Sequence, residues 1–520
     1  MTPAATAAPP TMSHSAILKA LSGLLLGMFV AILSSTVVST SLPRIVSDLG
    51  GSQSSYTWVV TATLLALTVS TPIWGKLADL IDRKLLVQSA LVVFLVGSIL
   101  AGFSHSMGWL IACRAIQGVG AGGLTALVQV ILSDLVSPRE RGRYSGYLGA
   151  VFGVGTVAGP LLGGVITDSV GWRWCFYVGV PFALASFLVL QRTLHLPQRR
   201  KPVRLDFAGA ALIAGGVSSI LVWVSLAGHQ FAWGSWETFA LVALGAALLV
   251  AAVAVERRVK DPLIPLHLFA QRTVVLAVVA SIAVGIAMFG TSVFLSQYMQ
   301  LARGYSPTAS GLLTIPMVVG LFTASTLIGR RVSATGRYKK YMLAGAFFLT
   351  AGLALMGTMD ERTSLVELGV FMAMLGAGVG MLMQNLVLVV QNSVDPAELG
   401  AGSSLIAFFR SLGGAVGVSV LGAVLASRAS TSITDGLAAA GAPAPSGGSG
   451  QVPDLASLPP AVARIVEHAY GIGIAEIFLV AAPLGLVAMA AIALMREQPL
   501  GTRSGIDIAR ERRVTAEAAA

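Results

Sequence analysis

The chain has 520 residues, 55% of them hydrophobic and 11% charged, with a net charge of +11. So few charged residues leave no segment able to cover a soluble core of this size, which excludes a soluble enzyme with buried helices. Apolar runs of about 20 residues recur along nearly the whole length, the pattern of an all-α integral membrane protein. In chain order, fourteen spans are expected at 17–42, 56–74, 85–104, 107–134, 143–167, 173–192, 206–227, 236–255, 273–300, 308–328, 341–358, 365–393, 399–427 and 472–495. The first is too long, and too poor in a cleavage site, for a removed signal peptide. Residues 1–16 read as a disordered tail, 428–471 as a long, mostly flexible outer loop with a short surface helix in "AVARIVEHAY", and 496–520 as a second tail.

Basic residues set the orientation. An even number of spans puts both termini on one side, which carries 26 Lys/Arg against 6 on the other. The basic side is expected to be the cytoplasm, placing the chain in a bacterial cytoplasmic membrane as a multi-pass protein with both termini inside. The positive charge is topological and can touch anionic lipid headgroups; scattered over short loops, it is no nucleic-acid footprint. Cys113 and Cys175 read as free packing thiols, since nothing in their spacing supports a disulfide, and no Cys/His metal spacing exists.

The chain repeats itself. "GKLADLIDRK" (75–84) aligns with "GRRVSATGRYK" (329–339) at an offset of 254, and "VSPRERGRYSGYLGAVFGVGTVAGP" (136–160) aligns with 394–418 at an offset of 258. Near-equal offsets at matching positions indicate a duplicated six-helix unit: bundles at 17–195 and 261–495, with two extra helices within 196–260 linking them. Parallel repeats of this kind place a central cavity at their interface near the midplane.

Three motifs carry chemistry. In "GKLADLIDRK", Gly75 permits a tight turn, while Asp79 and Arg83 stand four apart; a carboxylate there can cap a helix start and pair with a cation from another helix. The repeat copy lacks the acid, so any latch is expected to be stronger in the first half. In "GAVFGVGTVAGPLLGGV" (149–165), Gly155, Gly159 and Gly163 share one helix face and permit close helix approach, and Pro160 removes a backbone hydrogen bond. In "LIACRAIQGVGAGG" (110–123), Arg114 is an intramembrane cation, functional by default, with Gln117 within reach. Arginine keeps its proton, so Arg114 can steady a neighbouring carboxylate or bind an anion but cannot itself carry a proton.

Taken together these motifs, in this order and over essentially the whole chain, resemble the major facilitator superfamily, specifically its fourteen-helix drug:proton antiporters. The resemblance implies a major facilitator fold and makes the 75–84 loop a latch on the cytoplasmic gate, the 149–165 run the antiporter motif of exporters, and Arg114 a proton-coupling residue. It implies export of an amphiphilic drug or secondary metabolite, driven by the proton gradient, with protons and membrane lipids as the other partners. No cofactor, enzyme activity or obligate protein partner is expected. One departure stands out: where the family's first helix carries an acid, "LSSTVVSTSLP" (33–43) has Ser34. Among the remaining acids Glu476 lies deepest and is the first candidate for a titrating group. Cavity liners are expected at Ser34, Ser35, Gln117, Phe294, Gln297, Tyr298, Gln384 and Asn385, with Arg410 as a second intramembrane cation. Scarce carboxylates disfavour dicationic substrates and suit neutral, zwitterionic or anionic amphiphiles. An uncoupled lipid or metabolite facilitator of the same fold is the rival reading.

Overall fold

The computed structural model describes residues 14–50, 53–194, 206–227, 231–259, 262, 264–395, 398–439 and 459–501. Most of the expected tails, 1–13 and 502–520, and the segment 440–458 lie outside the described residues. The described chain is helical: α1 (His14–Asp48), α2 (Gln53–Leu80), α3 (Arg83–Gly102), α4 (Met107–Leu135), α5 (Pro138–Ser169), α6 (Trp174–Tyr177), α7 (Gly179–Thr193), α8 (Phe207–Leu226) and α9 (Trp236–Glu256) precede a 3₁₀ turn at Leu266–Ala270. Then follow α10 (Arg272–Gln297), a π-helical turn (Tyr298–Ala302), α11 (Pro307–Leu313), α12 (Ile315–Thr335), α13 (Lys339–Met356), α14 (Leu365–Ser393), α15 (Leu399–Ala439) and α16 (Pro460–Leu494). Twelve of the described helical stretches are long and apolar enough to cross a membrane; the shorter apolar stretch Ala208–Val224 of α8 and α13, which opens on two lysines, occupy the other two expected spans.

Local signals place the boundaries. Asp82 accepts from the backbone N–H groups of Lys84 and Leu85 to start α3, Ser106 caps α4, and Ser364 and Glu367 form a reciprocal capping box on α14. Gly336, at φ +68°, ends α12 in the left-handed region that a side chain with a Cβ rarely adopts.

Three expectations change. The span expected at 173–192 is broken at Val178 into α6 and α7, and that at 308–328 is broken at Thr314, just before Pro316. The long outer loop is mostly not a loop: α15 continues to Ala439 and α16 begins at Pro460, so "AVARIVEHAY" forms the first turns of a membrane helix. The hydrophobic period runs on through both flanks, and Gly436 of α15 packs closely against Ile465 of α16.

One large apolar core joins α10 and α12 to α16; another joins α1, α3, α4 and α7. The repeat is visible in the packing. A Cβ at Gly155 would meet Ile32 and one at Gly159 would strike Thr36, both on α1; a Cβ at Gly413 or Gly417 would meet Ile282 or Ile286 on α10. The glycines of α5 thus admit α1, and those of α15 admit α10, at the same spacing. The extra pair packs to the side: α8 shares a small core with α2 and α15, and α9 packs mainly on α8. Cys113 and Cys175 are free and buried.

Candidate functional site

The two halves meet along two seams, α2 against α15 and α5 against α12. Contacts of α4 with α15 and of α5 with α14 also join the halves. Call the end with the 75–84 and 136–143 loops the basic end. Three sets of hydrogen bonds cross between the halves there.

In the first, the Asp79 carboxylate accepts from the backbone N–H groups of Gly400 (3.0 Å) and Ala401 (3.0 Å) at the start of α15. An anion there satisfies unpaired N–H groups and meets the positive end of the helix dipole. Arg83 stands 3.7 Å from the same carboxylate and also pairs with Asp134 at the end of α4. Gly75 is required one turn earlier, since a Cβ there would strike Ser404 of α15. In the second set, Gln129 Nε2 donates to Gln384 Oε1 (2.9 Å). One lies on α4 and the other on α14, so this bond joins the two halves directly. In the third, Arg141 Nη1 donates to Gln391 Oε1 (2.5 Å), and its other nitrogens donate to the Val136 and Ser133 carbonyls. Gln391 in turn donates to Ser403 Oγ (2.6 Å) and to the Gln129 carbonyl (3.3 Å). Burial pushes the Arg141 guanidinium down to about 9, which leaves it protonated at neutral pH.

On α1, Ser34 lies against Gly179 of α7, Thr36 donates to the Gly155 carbonyl of α5 (3.0 Å), and Ala31 belongs to the core shared with α4. The sector left over carries Ser35 and Ser39, both exposed in mid-helix. Ser292, in the repeat-equivalent helix α10, is exposed as well.

The expected site residues therefore separate. Ser35 is exposed, and Gln384 belongs to the bonds between the halves. Ser34 is buried at a helix contact with its hydroxyl unpartnered, so it does not line the cavity. Gln117 is buried too: its amide oxygen accepts from Arg114 Nη1 (2.9 Å) and its nitrogen donates to Ser98 (2.7 Å), which makes it an orienting residue for Arg114. Phe294 sits in the second-half core, and the fully buried Tyr298 donates to the Asp360 carbonyl. Asn385 turns back to donate to Met381 O (2.6 Å). Gln297 is half-buried beside the π-helical turn. Glu476 lies near the middle of α16, which starts twelve residues earlier than expected, and its partly exposed side chain pairs with Arg428 of α15 at 3.2 Å. Gly163 offers its carbonyl to Ser41 (3.5 Å); the side chain of Pro160 lies outside the described residues.

Arg114 and Arg410 are 3% and 7% exposed. Among the described residues no carboxylate lies within ion-pair distance of either, and Arg114 Nε and Arg410 Nη1 have no partner. A cation at mid-helix costs roughly 3 kcal/mol even on permissive insertion scales. Sequence reading missed Gln129, Arg141 and Gln391. No motif marks Gln129 or Gln391, and Arg141 reads in the sequence as one of the basic-loop cations.

A family model described as Major Facilitator Superfamily matches residues 24–418. The chain belongs to the Major Facilitator Superfamily. It is 36% identical to the multidrug transporter protein MdtP of Bacillus subtilis over 80% of this chain and 77% of that one, and 32% identical to multidrug resistance protein 3 of the same organism over 88% and 91%. An uncharacterized MFS-type transporter of Mycobacterium tuberculosis is 38% identical over 92% of this chain and 69% of its own length. The proton:xylose symporter XylE superposes with a TM-score of 0.62 at 14% identity, covering 96% of this chain and all of that one, which is a likeness of fold alone. The chain is thus a multi-pass membrane protein of a transporter family, similar to multidrug efflux proteins.

Proposed function

We propose that this chain is a secondary transporter, not an enzyme, that exports amphiphilic drugs or a secondary metabolite across the bacterial cytoplasmic membrane in exchange for protons, with both termini cytoplasmic. One observation carries the reading: two duplicated bundles are bonded to each other at the basic end through Asp79, Gln129 and Arg141. That is one of the two states alternating access requires. Rocking about the two seams breaks the Asp79, Gln129 and Arg141 contacts and opens the interface to the cytoplasm. The named multidrug relatives and the glycine face of α5 support export. A second reading, the same cycle without protons, is favoured by Ser34 in the acid's place and by the exposed position of Glu476.

Liposomes holding a pH indicator, challenged with a panel of amphiphilic drugs under an imposed pH gradient, test both. Drug-triggered proton flux that disappears in Arg114→Ala establishes exchange. Glu476→Gln is expected to change that flux less than about twofold, since an exposed ion pair is worth only about 0–1 kcal/mol. Drug movement without proton flux replaces exchange by facilitation, and no drug movement at all sinks the transporter reading.

A further inference from the structure

We propose that residues 495–501, where the chain leaves α16, form a strap that restrains opening at the basic end, gripped by Asn392 and seated against the other half at Pro138. This rests on the alternating-access reading above. Residues 496–520 are expected from sequence to be a tail; the part up to Gly501 is instead bound to α13 and α14. Glu497 Oε1 accepts from the backbone N–H groups of Tyr338 (3.0 Å) and Lys339 (3.1 Å), at a helix start whose N–H groups have no partner within the helix. The Gln498 N–H donates to the hydroxyl of Tyr338, a buried residue (3.1 Å). Leu500 is buried and belongs to the second-half core. Asn392, at the end of α14, grips the backbone on both sides of Leu500. Its Nδ2 donates to the Pro499 carbonyl (3.2 Å), and its Oδ1 accepts from the Gly501 N–H (2.9 Å).

This grip delivers Gly501 to the joint between the halves. A Cβ at Gly501 would stand 3.6 Å from Asn392 Oδ1 and 3.7 Å from Cγ of Pro138, the first residue of α5. The same joint holds one of the bonds between the halves: Gln391 directly precedes Asn392, and Arg141 follows Pro138 by one helical turn. Arg141 and Gln391 are each 5% exposed, and a charge-assisted hydrogen bond is strongest where water is kept out. The hydrogen bonds that hold the strap all lie within the second half. When the start of α5 swings away from the end of α14, the strap therefore stays with α14. Gly501 must then part from Pro138, and water reaches the Arg141–Gln391 bond. The strap thus favours the bonded state without touching Asp79. Glu497 anchors only its near end, so Asn392 and Leu500 are the residues that keep Gly501 at the joint.

Two measurements on the full chain, with Cys113 and Cys175 replaced by serine, test the strap. In the first, a short reducible bis-methanethiosulfonate is added to the double variant Pro138→Cys, Gly501→Cys. The two thiols are expected to be joined, and the joined protein to stop transporting drug in liposomes until the link is reduced. Failure to join, or transport that continues unchanged in the joined protein, overturns the proposal. In the second, a thiol at Thr125→Cys on α4 is labelled from the cytoplasmic side. Asn392→Ala and Leu500→Ala are each expected to raise the labelling rate about two- to fivefold, up to the worth of one net hydrogen bond. Glu497→Gln, which loosens only the near end, is expected to stay within about twofold and controls for general loosening. A wild-type rate in both Asn392→Ala and Leu500→Ala overturns the strap. Asp79→Asn separates the two readings. If it raises the rate and the strap variants do not, the rocking cycle stands and the strap falls; if none of them raises it, both fall.

Discussion

The two copies of the repeated loop sit in corresponding places and hold different things. In 75–84, Asp79 reaches across to the N-terminus of α15 in the other half, and Arg83 is buried between two carboxylates. In 329–339, the position of Asp79 is taken by Ser333, and Arg337, the mate of Arg83, is exposed. The acid there comes from elsewhere: Glu497, just after α16, accepts from the backbone of Tyr338 (3.0 Å) and Lys339 (3.1 Å), and Lys339 donates to the carbonyls of Ala493 and Met495. The first copy ties one half to the other; the second ties its own half to its own tail. A single carboxylate position decides whether a duplicated loop is a gate latch or a local brace.

The comparison can be broken at three strengths. Asp79→Asn takes the charge out of two hydrogen bonds, a loss of about 1.5–3 kcal/mol, so the closed fraction relative to the open one should fall about ten- to a hundredfold. The labelling rate of a thiol at Thr125→Cys, from the cytoplasmic side and with Cys113 and Cys175 replaced by serine, reads that shift. An unchanged rate would mean the halves are held without Asp79. Arg141→Lys keeps the charge but loses the fork that serves Gln391 and two carbonyls; losing about 1 kcal/mol should raise the same rate about fivefold. A rise matching that of Asp79→Asn would make Arg141 an equal latch. Glu497→Gln is expected to leave the rate within about twofold, because its partners lie in its own half, while lowering thermal stability slightly. If it opens the gate as Asp79→Asn does, the asymmetry between the copies is gone.

Legibility followed range. Arg83 and Asp79 were found because a short motif places them, and the capping role follows from the chemistry of a carboxylate near a helix start. Ser34 and Gln117 were misplaced because spacing along one helix does not say which neighbour each face meets. A rotation of 100° per residue turns Ser34 to α7 and leaves Ser35 exposed. The ion pair of Glu476 with Arg428 is not legible in the sequence, because the apolar run alone sets the start of the expected span and α16 begins at Pro460. Gln129 and Gln384 carry no mark in the sequence, because only the packing of one bundle against the other brings residues 255 apart within hydrogen-bond distance.

By itself, then, the sequence determined the membrane, the helix count, the duplication and the side carrying the basic loops, since hydropathy, periodicity and charge are local properties summed along the chain. Only the tertiary structure decided at which end the two halves are bonded, which polar residues bond them, and that no described carboxylate stands within ion-pair distance of Arg114 or Arg410. Those are statements about side chains 250 or more residues apart in some cases, and about the faces they turn to one another. A buried charge is defined by what is absent around it, which only packing fixes.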